Sequence, residues 1–168
     1  MKLCVTYCAK NKRDGSLPPD GLYISLRIHR FTSYCKEKHL NWAILSAKYG
    51  LFFPEESRQK YDVTFKSNPA HWLGIQVVAD GEGLPRSKSD TILTELDKAV
   101  AAQIAKHSVS KIVYYYENRG PIQPPKGYLA LLHFVVDNCN RVHSWPELLD
   151  CTNKHGTVSA TARLDFAP

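Results

Sequence analysis

The stretch Trp42-Ala43-Ile44-Leu45-Ser46-Ala47-Lys48-Tyr49-Gly50-Leu51, followed by Pro54 and Tyr61-Asp62, decides the fold. An apolar run of strand length ends abruptly in a hydroxyl, an amine, a phenol and a glycine. That is the pattern of a buried strand whose carboxyl end opens onto a site. Ligands of α/β sheets bind outside the carboxyl ends of the strands, so these polar residues stand where chemistry is expected.

Working outward, Lys2–Cys8 reads as a first strand, Asn41–Ser46 as a second and Lys111–Tyr116 as a third. Between them, a helix is expected from about Leu22 to His39, with Leu22, Leu26, Ile28, Tyr34 and Cys35 on its apolar stripe. A second helix is expected from Ser89 or Asp90 to His107, its stripe formed by Ile92, Leu93, Leu96, Val100 and Ile104. Ala9–Asp20, Leu51–Pro69 and Arg119–Lys126 read as loops, and Trp72–Ala79 has a strand-like core. Gly127–Cys139 reads as a helix and Trp145–Leu149 as a short one. Strands alternating with helices predict an α/β fold: a single domain over residues 1–150 with a largely parallel sheet flanked by helices, and a C-terminal tail over 151–168.

The chain has 168 residues and is 43% hydrophobic, enough for a sizeable core. No apolar run reaches the roughly 20 residues that span a bilayer, so no membrane partner is expected. The N-terminus enters a strand pattern directly, without a secretory signal, and the expected location is cytoplasmic. Five cysteines at irregular spacing make a poor disulfide framework. Cys139, His143, Cys151 and His155 have a spacing that is not a standard zinc pattern, so neither a metal nor a cofactor is expected.

The net charge of +6 lies wholly in residues 1–66, which carry twelve Lys and Arg against six Asp and Glu, while the rest is balanced. A one-sided basic field favours an anionic partner, nucleic acid or a nucleotide-like anion; the alternative is a solvated face that keeps the chain soluble. If the sheet is parallel, the segments beginning at Cys8, at Ser46 and at Tyr115 converge on one edge. The candidate catalytic residues are Ser46, Lys48 and Asp62, with Glu55 as a further acid. The candidate ligand-binding residues are Cys8, Lys10, Lys12, Tyr23, Ser25, Tyr49, Gly50, Tyr61, Tyr116 and Arg119. Each also has a structural reading: Ser46 as a local backbone cap, Lys48 as a solvated amine, Tyr49 as packing, and Tyr61-Asp62 as a loop fastener.

These residues carry a resemblance. The Cys8-Ala9-Lys10-Asn11-Lys12 loop, Tyr23-x-Ser25, and Ile44-Leu45-Ser46-Ala47-Lys48-Tyr49-Gly50-Leu51…Pro54…Tyr61-Asp62 resemble a family of uncharacterised bacterial and phage proteins. That family reads CS-x-x-K…LY-x-S…ILSAK-[HY]-GL…P…YD, with serine where this chain has Ala9. More distantly, the second block is similar to the peroxide-stress protein YaaA, associated with DNA binding, and to a middle domain of archaeosine synthase, a tRNA base-modification enzyme. The resemblance implies an α/β scaffold in a nucleic-acid or nucleobase context and supplies no reaction. Three functions stay open: a nucleic-acid-associated domain with a basic crevice for phosphate or nucleotide, an enzyme acting on nucleobases or nucleotides by glycosidic-bond or base-modification chemistry, and a non-catalytic interaction protein.

Overall fold

A computed structural model describes residues 1–62 and 96–116 with their side chains, together with Tyr128, Leu131, Leu132, Val135 and Val136. It also describes the backbone of residues 64–65, 77–78, 86–95, 147–150 and 159–162. The architecture is mixed α/β. Strand β1 (Lys2–Tyr7) lies between β2 (Trp42–Ser46) and β6 (Lys111–Tyr116), parallel to both. A strand flanked on both sides and covered on both faces needs apolar residues throughout, and Leu3 to Thr6 are all buried. The register sets Tyr7 beside Leu45 and Thr6 beside Tyr115, so the carboxyl ends of the three strands share one edge.

β2 turns back through Ala47-Lys48-Tyr49 into β3 (Gly50–Phe52), which pairs antiparallel with it. The start of the expected loop is therefore a hairpin. Its three-residue turn closes on Gly50 at a φ of +69°, a left-handed position typical of such turns. On the other side of β6 lie β7 (Glu147–Asp150), parallel to it, and β8 (Ser159–Ala162), antiparallel to β7. The short helix expected at Trp145–Leu149 is thus a strand from Glu147 onward, and the expected tail contains β8. Four residues carry too little periodicity to separate the two states, and pairing of Leu148 with Tyr114 and of Leu149 with Tyr115 decides the matter. Strands β4 (Thr64–Phe65) and β5 (Val77–Val78) form a separate antiparallel pair.

The helix expected over Leu22–His39 is divided into α1 (Pro19–Leu22) and α2 (Leu26–Glu37). Tyr23 and Ser25 are extended, and the Ser25 hydroxyl accepts the Ile28 N–H at 3.5 Å as the cap of α2. The buried stripe is Arg27, Ile28, Phe31, Thr32 and Cys35, while Leu26 is 65% exposed. Leu26 therefore leaves the expected stripe and an arginine takes its place beside Ile28. Helix α3 (Arg86–Lys106) starts before the expected serine and buries Leu96, Val100 and Ile104. Tyr128, Leu131, Leu132, Val135 and Val136 are helical at the spacing of one apolar face, and the first four are buried. No helix among the described residues is long and apolar enough to cross a membrane. Cys139, His143, Cys151 and His155 lie outside the described residues.

β3 is the last strand on its side of the sheet, and an edge strand leaves backbone groups unpaired. Gln103 of α3 meets this need. Its Oε1 accepts the Leu51 N–H at 2.8 Å, and its Nε2 donates to the carbonyls of Tyr49 at 3.0 Å and Leu51 at 2.9 Å. The helix can approach this closely because position 50 has no side chain. A Cβ there would lie 2.6 Å from Gln103 Oε1 and 2.8 Å from Val100 Cγ2. Gly50 therefore serves both the sharp turn expected of it and the close packing of α3. Gly50→Ala adds left-handed strain to this overlap and is expected to cost about 2–4 kcal/mol in urea unfolding; an unchanged midpoint would refute the close packing.

Candidate functional site at the carboxyl edge of the sheet

Cys8 follows β1 directly, and its N–H donates to the Leu45 carbonyl at 2.9 Å, which keeps it at the carboxyl edge. The loop after it does not hang free. Lys12 bridges Tyr23, with Arg13 N–H on Leu22 O at 2.8 Å and Ile24 N–H on Asn11 O at 2.9 Å. Leu17 bridges Arg58 through two backbone bonds of 3.0 and 3.1 Å. The loop thereby brings Lys12 over the edge, with Tyr23 arriving from the turn before α2 and Tyr61 from the segment after β3.

Ser46 ends β2 fully buried. Its Oγ accepts the N–H groups of Lys48 and Tyr49, each at 3.1 Å, and these caps tighten the hairpin turn. With both lone pairs used, the hydroxyl hydrogen goes to the Tyr61 hydroxyl at 2.8 Å. The Tyr61 and Tyr23 hydroxyls are 2.7 Å apart. Cys8 Sγ lies 2.9 Å from the Tyr128 hydroxyl. The edge therefore holds a hydrogen-bonded chain of one hydroxyl and two phenols, Ser46–Tyr61–Tyr23, and a thiol–phenol pair, Cys8–Tyr128.

Two cations border it. The Lys12 ammonium stands 4.0 Å above the centre of the Tyr61 ring, half-buried, and donates to the Lys10 carbonyl at 3.2 Å. Burial lowers its pKa below the usual lysine value, while Cys8 and Asp62 pull it back up. Arg27 is 5% exposed and wraps the end of β1. It donates to Thr6 Oγ1 at 2.5 Å, Tyr7 O at 2.7 Å and Cys8 O at 3.3 Å, and lies 3.4 Å from the centre of the Tyr7 ring. Among the described residues no carboxylate pairs with it.

The candidate residues divide accordingly. Cys8, Lys12, Tyr23, Ser46 and Tyr61 meet in one cluster. Tyr49 joins through its ring, edge-on to Tyr61 at 5.1 Å, with the Lys48 and Arg58 charges each 5.3 Å from its centre. Lys10, Lys48 and Asp62 are exposed at the rim. Ser25 is occupied as a helix cap, Gly50 faces α3, Tyr116 is buried at the end of β6, and Arg119 lies outside the described residues. Glu55 pairs with His107 at 3.7 Å and Glu56 with Arg58 at 3.4 Å. His107 lines a cavity of about 270 Å³ at the opposite edge, with Leu3, Asn41, Trp42 and Phe53, so Glu55 is remote from the cluster. Arg27, Arg58 and Tyr128 were not among the candidates. Arg27 alone had a signal, its place next to Ile28 four residues before Phe31.

The arrangement supplies proton donors and positive charge. Burial, with the Cys8 charge next, pushes Tyr23 and Tyr61 above the ordinary phenol value of 10.0, so both stay protonated donors. Below that value both phenols are protonated whether the chain is folded or not. Above it only the unfolded chain ionises them, so stability is expected to fall as pH climbs past about 10. Ultraviolet titration should show their phenolate signal only on unfolding. Ser46→Ala strands two N–H groups and the Tyr61 hydroxyl, an expected loss of about 2–4 kcal/mol in urea unfolding, whereas a surface serine would cost almost nothing.

A family of unknown function, DUF6884, has a model that matches residues 3–79. No curated protein and no solved structure matches the chain. The matched stretch includes Cys8, Lys12, Tyr23, Arg27, Ser46 and Tyr61, whereas Tyr128 lies beyond it.

Proposed function

We propose that this edge binds an anionic, nucleotide-like ligand, as part of a nucleic acid or as a free nucleotide. The observation that carries the reading is a pair of buried or half-buried cations that no carboxylate among the described residues contacts. Lys12 lies on the ring of Tyr61 and Arg27 on the ring of Tyr7, at the end of the same strand. Charge held in a poorly hydrated place acts through a low effective dielectric, so its attraction for an arriving anion is strong. Tyr49, with Lys48 and Arg58 beside its ring, offers a base an aromatic face next to phosphate-binding charge. The concentration of net charge in residues 1–66 agrees with this. The same reading takes the chain as one domain on a largely parallel sheet, related to the peroxide-stress protein YaaA and acting in the cytoplasm.

A second reading is an enzyme acting on nucleobases or nucleotides. It is favoured by the buried phenols, because Tyr23 and Tyr61 stay protonated beside the Lys12 ammonium and can hydrogen-bond to negative charge that develops in a reaction.

Titrating labelled single-stranded DNA and RNA, and mononucleotides, across a salt series tests the binding. The expected affinity falls steeply with salt, and Lys12→Met lowers the logarithmic slope by about 0.7 for a single strand. Lys12→Met should leave stability unchanged or raised, because it removes a partly desolvated charge. Binding that is absent, or indifferent to salt, would overturn the proposal.

A further inference from the structure

We propose that the cavity at the amino edge of the sheet binds a flat aromatic ring carrying a cationic nitrogen group, an aryl amidine or an arylalkyl amine in class. This site is separate from the carboxyl edge and takes a ligand of the opposite charge. Four segments build it: the starts of β1 and β2, the residues after β3 and the end of α3. The strand order explains why they meet. β1 and β2 run parallel with Trp42 beside Cys4, and β3 runs back along β2, so the chain after Phe52 returns to the edge where Trp42 begins. The Asn41 carbonyl accepts the Cys4 N–H at 2.9 Å, which fixes the entry to β2.

The hollow measures about 270 Å³. A cavity of about 150 Å³ takes a benzene ring, so there is room here for a ring with a short polar substituent. Its depth is apolar: Leu3, Trp42 and Phe53 line it, and all three are buried. One wall is already a ring stack. The His107 imidazole lies on Phe53 with centres 3.7 Å apart and planes 15° from parallel. A flat ligand among such rings buries its apolar area against them, and aromatic rings also attract a cation. Apolar walls with a few polar groups at the mouth are the usual build of a small-molecule pocket.

Charge selects the ligand. Among the described residues lining the cavity there is one carboxylate, Glu55, and no lysine or arginine. That reverses the chemistry of the carboxyl edge, in a chain of net charge +6. Glu55 Oε1 stands 3.7 Å from His107 Nδ1, beyond hydrogen-bond range, so the carboxylate keeps its capacity for a donor. The terminal amine of Met1 is taken up by the Ser108 carbonyl. Helix α3 brings its carboxyl terminus to this rim, since His107, the residue after Lys106, lines the cavity. The partial negative charge of a helix carboxyl terminus favours a cation there. Asn41, exposed at the rim, adds an amide that can meet a polar substituent.

The test titrates the full chain with benzamidine, benzamide and benzoate, which share one flat ring and differ in charge. Binding is followed by NMR on the indole N–H signals of the three tryptophans. Trp42→Phe identifies the Trp42 signal; if that variant does not fold, Trp72→Phe and Trp145→Phe identify it by elimination. The expected result is that benzamidine shifts the Trp42 signal saturably and binds at least about threefold tighter than benzamide, with benzoate weakest. Glu55→Gln, at an exposed position, should abolish the preference for benzamidine while benzamide binds as before. Lys12→Met, at the other edge, should leave benzamidine affinity unchanged. The proposal fails if none of the three probes moves the Trp42 signal, or if benzoate binds as tightly as benzamidine. It fails equally if the preference survives Glu55→Gln, or if Lys12→Met removes the binding, which would put the probe at the carboxyl edge.

Discussion

The hydrogen-bond chain from Ser46 through Tyr61 to Tyr23 holds together parts of the molecule that sequence keeps apart. Tyr61 lies 15 residues from Ser46 and 38 from Tyr23, and all three side chains are buried. Buried polar groups carry a large penalty unless each finds a partner, so this chain tolerates one arrangement of its segments and resists others. Once the Tyr61 ring is fixed, it becomes the floor beneath Lys12 and the edge partner of Tyr49. The tight turn at Ala47–Tyr49 depends on the same serine.

The two edges of the sheet have different chemistry. At the carboxyl edge, positive charge is gathered over aromatic rings and a thiol. At the amino edge, the 270 Å³ cavity is walled by Trp42 and by the stacked rings of Phe53 and His107, whose centres are 3.7 Å apart. This hollow is therefore not where the reactive groups gather. Holding Lys12 and Arg27 away from water opposes folding. Both charges are offset by cation–π contact and by hydrogen bonds to backbone or hydroxyl oxygen, and neither pairs directly with a carboxylate among the described residues. An anionic ligand would supply the missing counter-charge, linking the cost in stability to the proposed binding.

Gln103 shows the same economy on the structural side. One side chain occupies three backbone groups of an edge strand, and glycine at position 50 gives it room. The hairpin that begins with Ser46 is thus secured from the carboxyl edge by Tyr61 and from its outer side by α3.

By itself, the sequence determined the strands at β1, β2 and β6, the stripe of α3 and the edge at which polar residues collect. Those features follow from local runs and spacings, which a linear reading captures. The cluster of Cys8, Lys12, Ser46 and Tyr61 was legible for the same reason, since each stands just beyond an apolar run or in its return loop. Tertiary structure alone decided the remainder. Arg27 is buried because Thr6, Tyr7 and Cys8, about 20 residues earlier, offer oxygens and a ring to its guanidinium. β7 is a strand because β6 lies beside it, and Gly50 is required because α3 crosses there. Partners distant along the chain leave no trace in local hydrophobic period, so only folding could reveal which polar side chains they would accept.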